Sequence, residues 1–125
     1  MVRRLVTVAE IRKALDELTE IDPVSGGPLP SERTRDLVRT TLRWLAQTHP
    51  GHTVEIRVPP YAAVQAIEGP RHTRGTPPNV VEMDAETWLE LVAGRLRWAD
   101  AVATGQVTAS GLRADLSDLL PLATP

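Results

Sequence analysis

The chain has 125 residues, a net charge of −2 at pH 7 and no cysteine. This length predicts one compact domain, and the small negative charge argues against a surface for nucleic acid or for an anionic membrane. The absence of cysteine excludes disulfides, thiolate catalysis and thiolate metal sites.

The first fifty residues have the pattern of two amphipathic helices. Val8, Ile11, Leu15 and Leu18 recur at helical spacing and predict the first helix. Three prolines and two glycines in residues 22–30 indicate a loop, after which Ser31 is the expected N-cap of the second helix. The apolar positions of that second helix are Leu37, Val38, Leu42 and Leu45. We therefore expect an N-terminal helical segment over residues 1–50 and a sheet-and-helix core over residues 51–125, together forming a single domain.

Two strands are predicted next, because the apolar period changes to two. Val54, Ile56 and Val58 alternate with charged residues, which is typical of a half-buried strand. Pro59-Pro60 ends this strand, and residues 61–67 form the second one. A polar loop follows up to Pro78.

Residues 79–122 contain most of the functional signal. A short strand ends at Met83, Asp84 is the expected N-cap of a helix, and Gly94 interrupts that helix. Gly105 is placed as a left-handed C-cap, and residues 106–110 alternate as a strand. After Gly111 the leucines predict a last helix that ends at Pro121.

No group of residues indicates catalysis. His49 and His52 lie three residues apart with Glu55 following, but a metal site needs further ligands converging from elsewhere, and histidines in surface loops are common. The chain has neither a nucleophile elbow nor a glycine-rich phosphate loop. We therefore expect a protein that is not an enzyme, with no metal and no cofactor.

The loop at residues 69–75 concentrates basic side chains. Arg71, His72 and Arg74 form a candidate site for an anion or a lipid head group, since guanidinium groups offer planar forks of donors. The alternative is that the two arginines pair with nearby acids such as Glu68 and Glu82. Aromatic residues for base stacking are missing from this loop, which argues against nucleic acid as a partner.

Apolar side chains are abundant in residues 79–122. They either fill the core of a small domain or line a cavity for an apolar ligand, and periodicity alone does not separate these two readings.

The order of strand, helix, glycine, alanine-rich helix, short strand and leucine-rich helix resembles the C-terminal half of the sterol carrier protein 2 (SCP-2) family. The residues that carry the resemblance are Gly94-Arg95, Ala101-Val102-Ala103-Thr104-Gly105, Val107-Thr108-Ala109-Ser110-Gly111 and Leu116, Leu119 and Leu120. The run from Arg57 to Glu82, including Pro-Arg-His-Thr-Arg-Gly-Thr-Pro-Pro-Asn, is similar to the bacterial SCP orthologues of actinobacteria. The resemblance covers residues 52–122 well and the N-terminal helices more loosely.

The resemblance implies a mixed α/β (α+β) fold. The expected sheet is mostly antiparallel, with about five strands, covered by helices on one side and preceded by the two N-terminal helices. Members of the family shelter fatty acids, acyl-CoA or sterols in a tunnel whose mouth is shaped by the last helix. Carried over to this chain, the resemblance implies a tunnel lined or gated by Leu112, Leu116, Leu119 and Leu120, with Leu89, Val92, Leu96 and Trp98 on its inner wall.

The sequence therefore predicts a non-catalytic, cytoplasmic carrier that binds a fatty acid, an acyl-CoA or an isoprenoid-like lipid in an apolar cavity, without a stable membrane anchor. The alternative is an interaction or dimerisation module, in which the same fold has a filled cavity. A homodimer or an enzyme partner is left open by the sequence.

Overall fold

The computed structural model describes residues 4–21, 29–69 and 79–125. In chain order, its elements are α1 (Val8–Glu20), α2 (Ser31–Thr48), β1 (Val54–Val58), β2 (Ala62–Ala66), β3 (Asn79–Met83), α3 (Ala85–Ala93), α4 (Trp98–Ala103) and β4 (Val107–Ser110). The order of helices and strands is the predicted one up to β4, and the fold is a mixed α and β fold as expected.

The start of α1 is defined by a reciprocal cap. The Thr7 side chain accepts a hydrogen bond from the Glu10 backbone N–H at 3.1 Å, and the Glu10 carboxylate accepts one from the Thr7 N–H at 3.2 Å. These bonds satisfy donors that the first helical turn leaves free. The predicted apolar stripe is buried from Ile11 onwards, whereas Val8 is 45% exposed because it lies in the first turn, outside the packed part of the helix.

The start of α2 differs by one residue from the prediction. Ser31 is the first helical residue, Pro30 holds the N-cap position, and no side chain caps the helix. Proline is suited to this boundary because its ring fixes the backbone angle there. The predicted apolar face of α2 is confirmed, with buried side chains at Leu37, Val38, Thr41, Leu42 and Leu45.

The sheet of the described residues has four strands in the order β2-β1-β3-β4, rather than about five. The pairs β1–β2 and β3–β4 are antiparallel, and the central pair β1–β3 is parallel. β1 and β3 run in the same direction because β2 returns the chain along the outer edge before β3 begins. The sheet is therefore antiparallel at both edges, with one parallel pair at its centre.

The two faces of the sheet have different chemistry. Val54, Ile56 and Val58 of β1 and Val81 of β3 are fully buried on one face. The opposite face carries the half-buried or exposed Glu55, Arg57 and Glu82, together with exposed residues of β2 and β4. Because only one face is apolar, the core lies on that side, where it forms a single cluster with the buried side chains of α1, α2 and α3.

The helices after β3 begin and end as their caps predict. Asp84 accepts a hydrogen bond from the Thr87 N–H at 2.8 Å, which confirms it as the N-cap of α3. Gly94 ends α3 with a φ of 80°, a left-handed conformation that favours glycine. α4 then begins at Trp98, two residues later than the predicted resumption of the helix at Leu96.

The predicted last helix after Gly111 is wrong. The segment forms turns instead: the Asp115 carboxylate accepts a hydrogen bond from the Ser117 N–H at 2.8 Å, and the Leu116 carbonyl accepts one from the Leu119 N–H at 2.9 Å. Local bonds from an aspartate side chain compete with helix formation. The Leu122 N–H donates to the Val92 carbonyl at 3.2 Å, so the segment is held against α3 in an irregular conformation.

Candidate functional site

The C-terminal leucines differ widely in their environment. Leu116 is fully buried, Leu119 and Leu120 are half-buried against the core, and Leu112 projects fully into solvent. Because the segment is not helical, these four side chains do not share one face. The structure therefore does not bring them together as a continuous lining.

The other predicted wall residues lie in or beside the core. Leu89 is 5% exposed and Val92 is 1% exposed, and both project from α3 among packed side chains. Leu96, which lies between α3 and α4, and Trp98, the first residue of α4, are half-buried and pack against that core. Leu89 is the residue of this set that also borders open space.

That open space is a groove of about 630 Å³ at the end of the sheet where β1 and β3 terminate. Three parts of the chain form it: the end of α1 with the start of α2, the turn between β1 and β2, and the first two turns of α3 with Arg95 beyond them. Its lining residues are Leu18, Ile21, Leu29, Thr34, Pro59, Pro60, Tyr61, Asp84, Ala85, Glu86, Leu89, Glu90 and Arg95. Its apolar lining therefore comes from elements that are far apart in the sequence.

The wall at the β1–β2 turn is fixed by backbone hydrogen bonds. The Tyr61 N–H donates to the Val58 carbonyl at 3.0 Å, which closes the turn after β1. The Arg39 guanidinium of α2 donates to the Tyr61 carbonyl at 3.3 Å. Tyr61 is thus tied to both the sheet and α2, with its side chain half-buried at the groove.

The rim on the α3 side is charged. Arg95 forms an ion pair with Glu90 at 3.2 Å and also donates to the Leu18 carbonyl at 2.7 Å, which ties the end of α1 to the region after α3. Asp84 and Glu86 are exposed at the N-terminal end of α3. Over the part of the chain that the structure describes, the groove therefore combines an apolar interior with a rim that has more carboxylates than basic groups.

The histidines of the described residues are engaged locally. His52 Nδ1 lies 2.8 Å from the Gln65 side-chain oxygen, and His49 Nδ1 lies 3.1 Å from the Thr48 hydroxyl. In the parts of the chain that the structure describes, no three carboxylate or imidazole groups converge as a metal site would require. Over the same residues, no helix has the length and apolar character that crossing a bilayer requires.

The predicted anion loop, Arg71, His72 and Arg74, lies outside the described residues. The flanking residue Asn79 pairs with Val54 at the start of the parallel strands. The groove lies beyond the other end of those strands. Five residues of strand span roughly 13 Å at about 3.3 Å per residue. Asn79 therefore lies at the opposite end of the sheet from the groove.

Sequence reasoning missed most of the groove residues. Ile21 and Leu29 flank a loop, and Ala85 is too small to stand out in an apolar pattern. The signal that could have indicated the groove is Pro59-Pro60-Tyr61, where two prolines stop a strand and an aromatic residue follows; the sequence analysis used it only to end the strand. The sequence indicated the turn but not which helix ends it faces.

Comparison with known proteins gives one family. A family model described as the bacterial SCP ortholog matches residues 31–122, which covers α2 and every element after it. No curated protein matches the chain. The match spans well over half of the sequence and includes two of the three parts of the chain that form the groove, α3 and the β1–β2 turn. The chain therefore belongs to the bacterial SCP ortholog family.

Proposed function

We propose that this protein is a non-catalytic, cytoplasmic binding protein of the sterol-carrier type, and that it shelters an acyl or isoprenoid-like chain in the groove between α1, α3 and the β1–β2 turn. The observation that carries the proposal is the groove itself, an apolar space of about 630 Å³. Binding sites for small molecules typically have volumes of about 300–1,000 Å³ and a mainly apolar lining. The family assignment supports the same reading.

Burial of the chain supplies the affinity in this proposal. Each methylene moved from water into an apolar site contributes about 0.8 kcal/mol, so a long chain needs few polar contacts. Leu18, Ile21 and Leu29 offer branched side chains on one wall, and Ala85 and Leu89 offer the facing wall. The small side chain of Ala85 leaves room that a larger residue would fill.

The predicted site residues differ in their part in this proposal. Leu89 contacts the ligand directly. Val92 and Leu116 are buried in the core, and Leu119, Leu120, Leu96 and Trp98 are half-buried and pack against that core. Leu112 is fully exposed and has no ligand contact. The loop containing Arg71, His72 and Arg74 stays a predicted anion site.

The experiment is displacement of Nile red, a neutral apolar dye, by dodecanol, combined with native mass spectrometry of the purified protein. We expect dye binding, displacement by dodecanol, and loss of both in Ala85→Leu, whose added carbons enter the groove. Ala99→Leu is the matched control, because it adds the same carbons to an exposed position of α4. Equal binding by the two variants, or no binding by the natural chain, would refute the proposal.

A second candidate function is an interaction module with a filled core. The specific observation that favours it is the packing of Leu116 and Val92, which are 0% and 1% exposed where a tunnel wall was predicted, while Leu112 is fully exposed. This reading predicts self-association or partner binding through the exposed C-terminal segment. Sedimentation of the natural chain and of Leu112→Ser tests it: a monomer in both cases would count against a homodimer.

A further inference from the structure

We propose that the natural ligand of the groove carries a cationic head group, as a long-chain amine or a quaternary ammonium amphiphile does, rather than a carboxylate or phosphate. This inference rests on the proposed function, since it concerns the head group of the chain that the groove binds.

Among the described residues, the groove lining contains three carboxylates and one guanidinium, from Asp84, Glu86, Glu90 and Arg95. Glu90 and Arg95 pair with each other at 3.2 Å, so their charges largely cancel. Glu86 has no ion pair within the described ranges of the chain. The two carboxylates that remain, Asp84 and Glu86, give this end of the groove a negative potential.

The N-terminus of α3 would ordinarily favour an anion at this position. The free N–H groups and the partial positive charge of a helix N-terminus attract carboxylates and phosphates. Here Asp84 already accepts the Thr87 N–H at 2.8 Å, and Glu86 adds a second negative charge in the first turn. An anionic head group would therefore meet two carboxylates at the place where it would otherwise find donors.

The charged groups around the groove do not reverse this balance. The guanidinium of Arg39 lies just beyond the lining and donates a hydrogen bond to the Tyr61 carbonyl at 3.3 Å. An adjoining depression shares Ile21 and Leu29 with the groove and is lined by Glu17, Glu20 and Arg33, where Arg33 forms an ion pair with Glu17. With these groups counted, the described residues around the groove still carry a net negative charge.

Tyr61 adds an aromatic ring to the same lining. Ammonium groups are attracted to the faces of aromatic rings, and this attraction is characteristic of sites for quaternary ammonium ligands. The groove thus offers an apolar cleft for a chain, carboxylates for a positive head group and an aromatic ring. The lining residues that the structure describes include no lysine, and their one arginine, Arg95, is paired with Glu90.

The test compares three probes with the same chain: dodecyltrimethylammonium, dodecanol and dodecanoate, each below its critical micelle concentration, by displacement of Nile red. Exposed ion pairs are individually weak, so we expect the cationic probe to bind about two- to fivefold more tightly than dodecanol, and dodecanoate to bind most weakly. This preference should shrink at high salt, because the carboxylates are exposed.

Two variants test whether Glu86 is responsible for the preference for the cationic probe. Glu86→Gln should lower the affinity for dodecyltrimethylammonium towards that for dodecanol. Asp100→Asn, which removes one charge from the first turn of α4, should leave the preference unchanged. If dodecanol binds in the groove but the cationic probe is no tighter, or if dodecanoate is preferred, the head-group inference fails while the proposed function stands. If none of the probes binds, the proposed function fails, and this inference fails with it.

Discussion

The buried contact between Trp88 of α3 and Thr41 of α2 makes a strong prediction about stability. Both residues are fully buried. The indole N–H of Trp88 donates to the Thr41 hydroxyl oxygen at 2.8 Å, and that hydroxyl donates to the Leu37 carbonyl at 2.7 Å. Thr41→Val keeps the shape of the side chain but removes the acceptor, so the indole N–H is left buried without a partner.

The expected cost follows from that unpaired donor. A buried donor without an acceptor costs about 1–3 kcal/mol. Urea unfolding of a small domain has a slope of roughly 1–3 kcal/mol per molar. Thr41→Val should therefore lower the urea midpoint by about 1 M, with the slope unchanged, when unfolding is followed by circular dichroism.

Thr48→Val is the matched control for this prediction. Thr48 lies later in α2, and its hydroxyl donates to the Trp44 carbonyl at 2.8 Å, but the side chain is exposed and does not contact Trp88. The control should change stability by less than about 0.5 kcal/mol. Equal effects of Thr41→Val and Thr48→Val would refute the reasoning. In a Trp88→Phe background, the cost of Thr41→Val should shrink, because the donor is then absent.

Three further predictions concern backbone, core and cap. Gly94→Ala should destabilise the protein more than Gly105→Ala does in urea unfolding. Both glycines have left-handed backbones, so alanine at either position should cost about 1 kcal/mol of stability. A Cβ at position 94 would also lie 3.3 Å from the ring of Pro121, whereas a Cβ at position 105 would face open space. Leu116→Ala should lower the free energy of unfolding by about 2–5 kcal/mol, because the Leu116 side chain is fully buried. Leu112→Ala, at an exposed site, should lower it by less than about 0.5 kcal/mol. Equal losses in the two variants would contradict the placement of the C-terminal segment. Hydrogen bonds from the cap of α1 lower the pKa of the Glu10 carboxyl below its ordinary value of 4.5. The stability that ionised Glu10 contributes is therefore present above the ordinary pKa and lost as the pH falls through the lowered pKa. Glu10→Gln should make the fall of stability at acid pH less steep. An unchanged fall in the variant would contradict this prediction.

The elements that the sequence predicted well are those whose local chemistry determines their structure. The period-two pattern of β1, the aspartate that caps α3 and the glycine that ends it each act within a few residues. Their structural consequences can therefore be predicted without knowing the rest of the fold. The apolar stripes of α1 and α2 were also predicted well, because each helix buries only one of its sides and the spacing of its apolar residues indicates which one.

The C-terminal segment was predicted less well because its structure depends on distant partners. Its leucines have helical spacing, yet Asp115 forms a local turn and Leu122 bonds to the Val92 carbonyl. Neither interaction has a signature in a hydrophobic pattern. The groove is similar, since Leu29 and Ala85 line it together although they are far apart in the sequence.

The measurement that tests the central claim most directly is photo-crosslinking of a long-chain alcohol that carries a diazirine on its chain, with the labelled residues identified by mass spectrometry. The proposed function predicts labels on Tyr61 and on residues of α3 such as Ala85 and Leu89, and their loss in Ala85→Leu. Labels confined to Leu119 and Leu120, or no saturable labelling, would contradict the groove as the binding site.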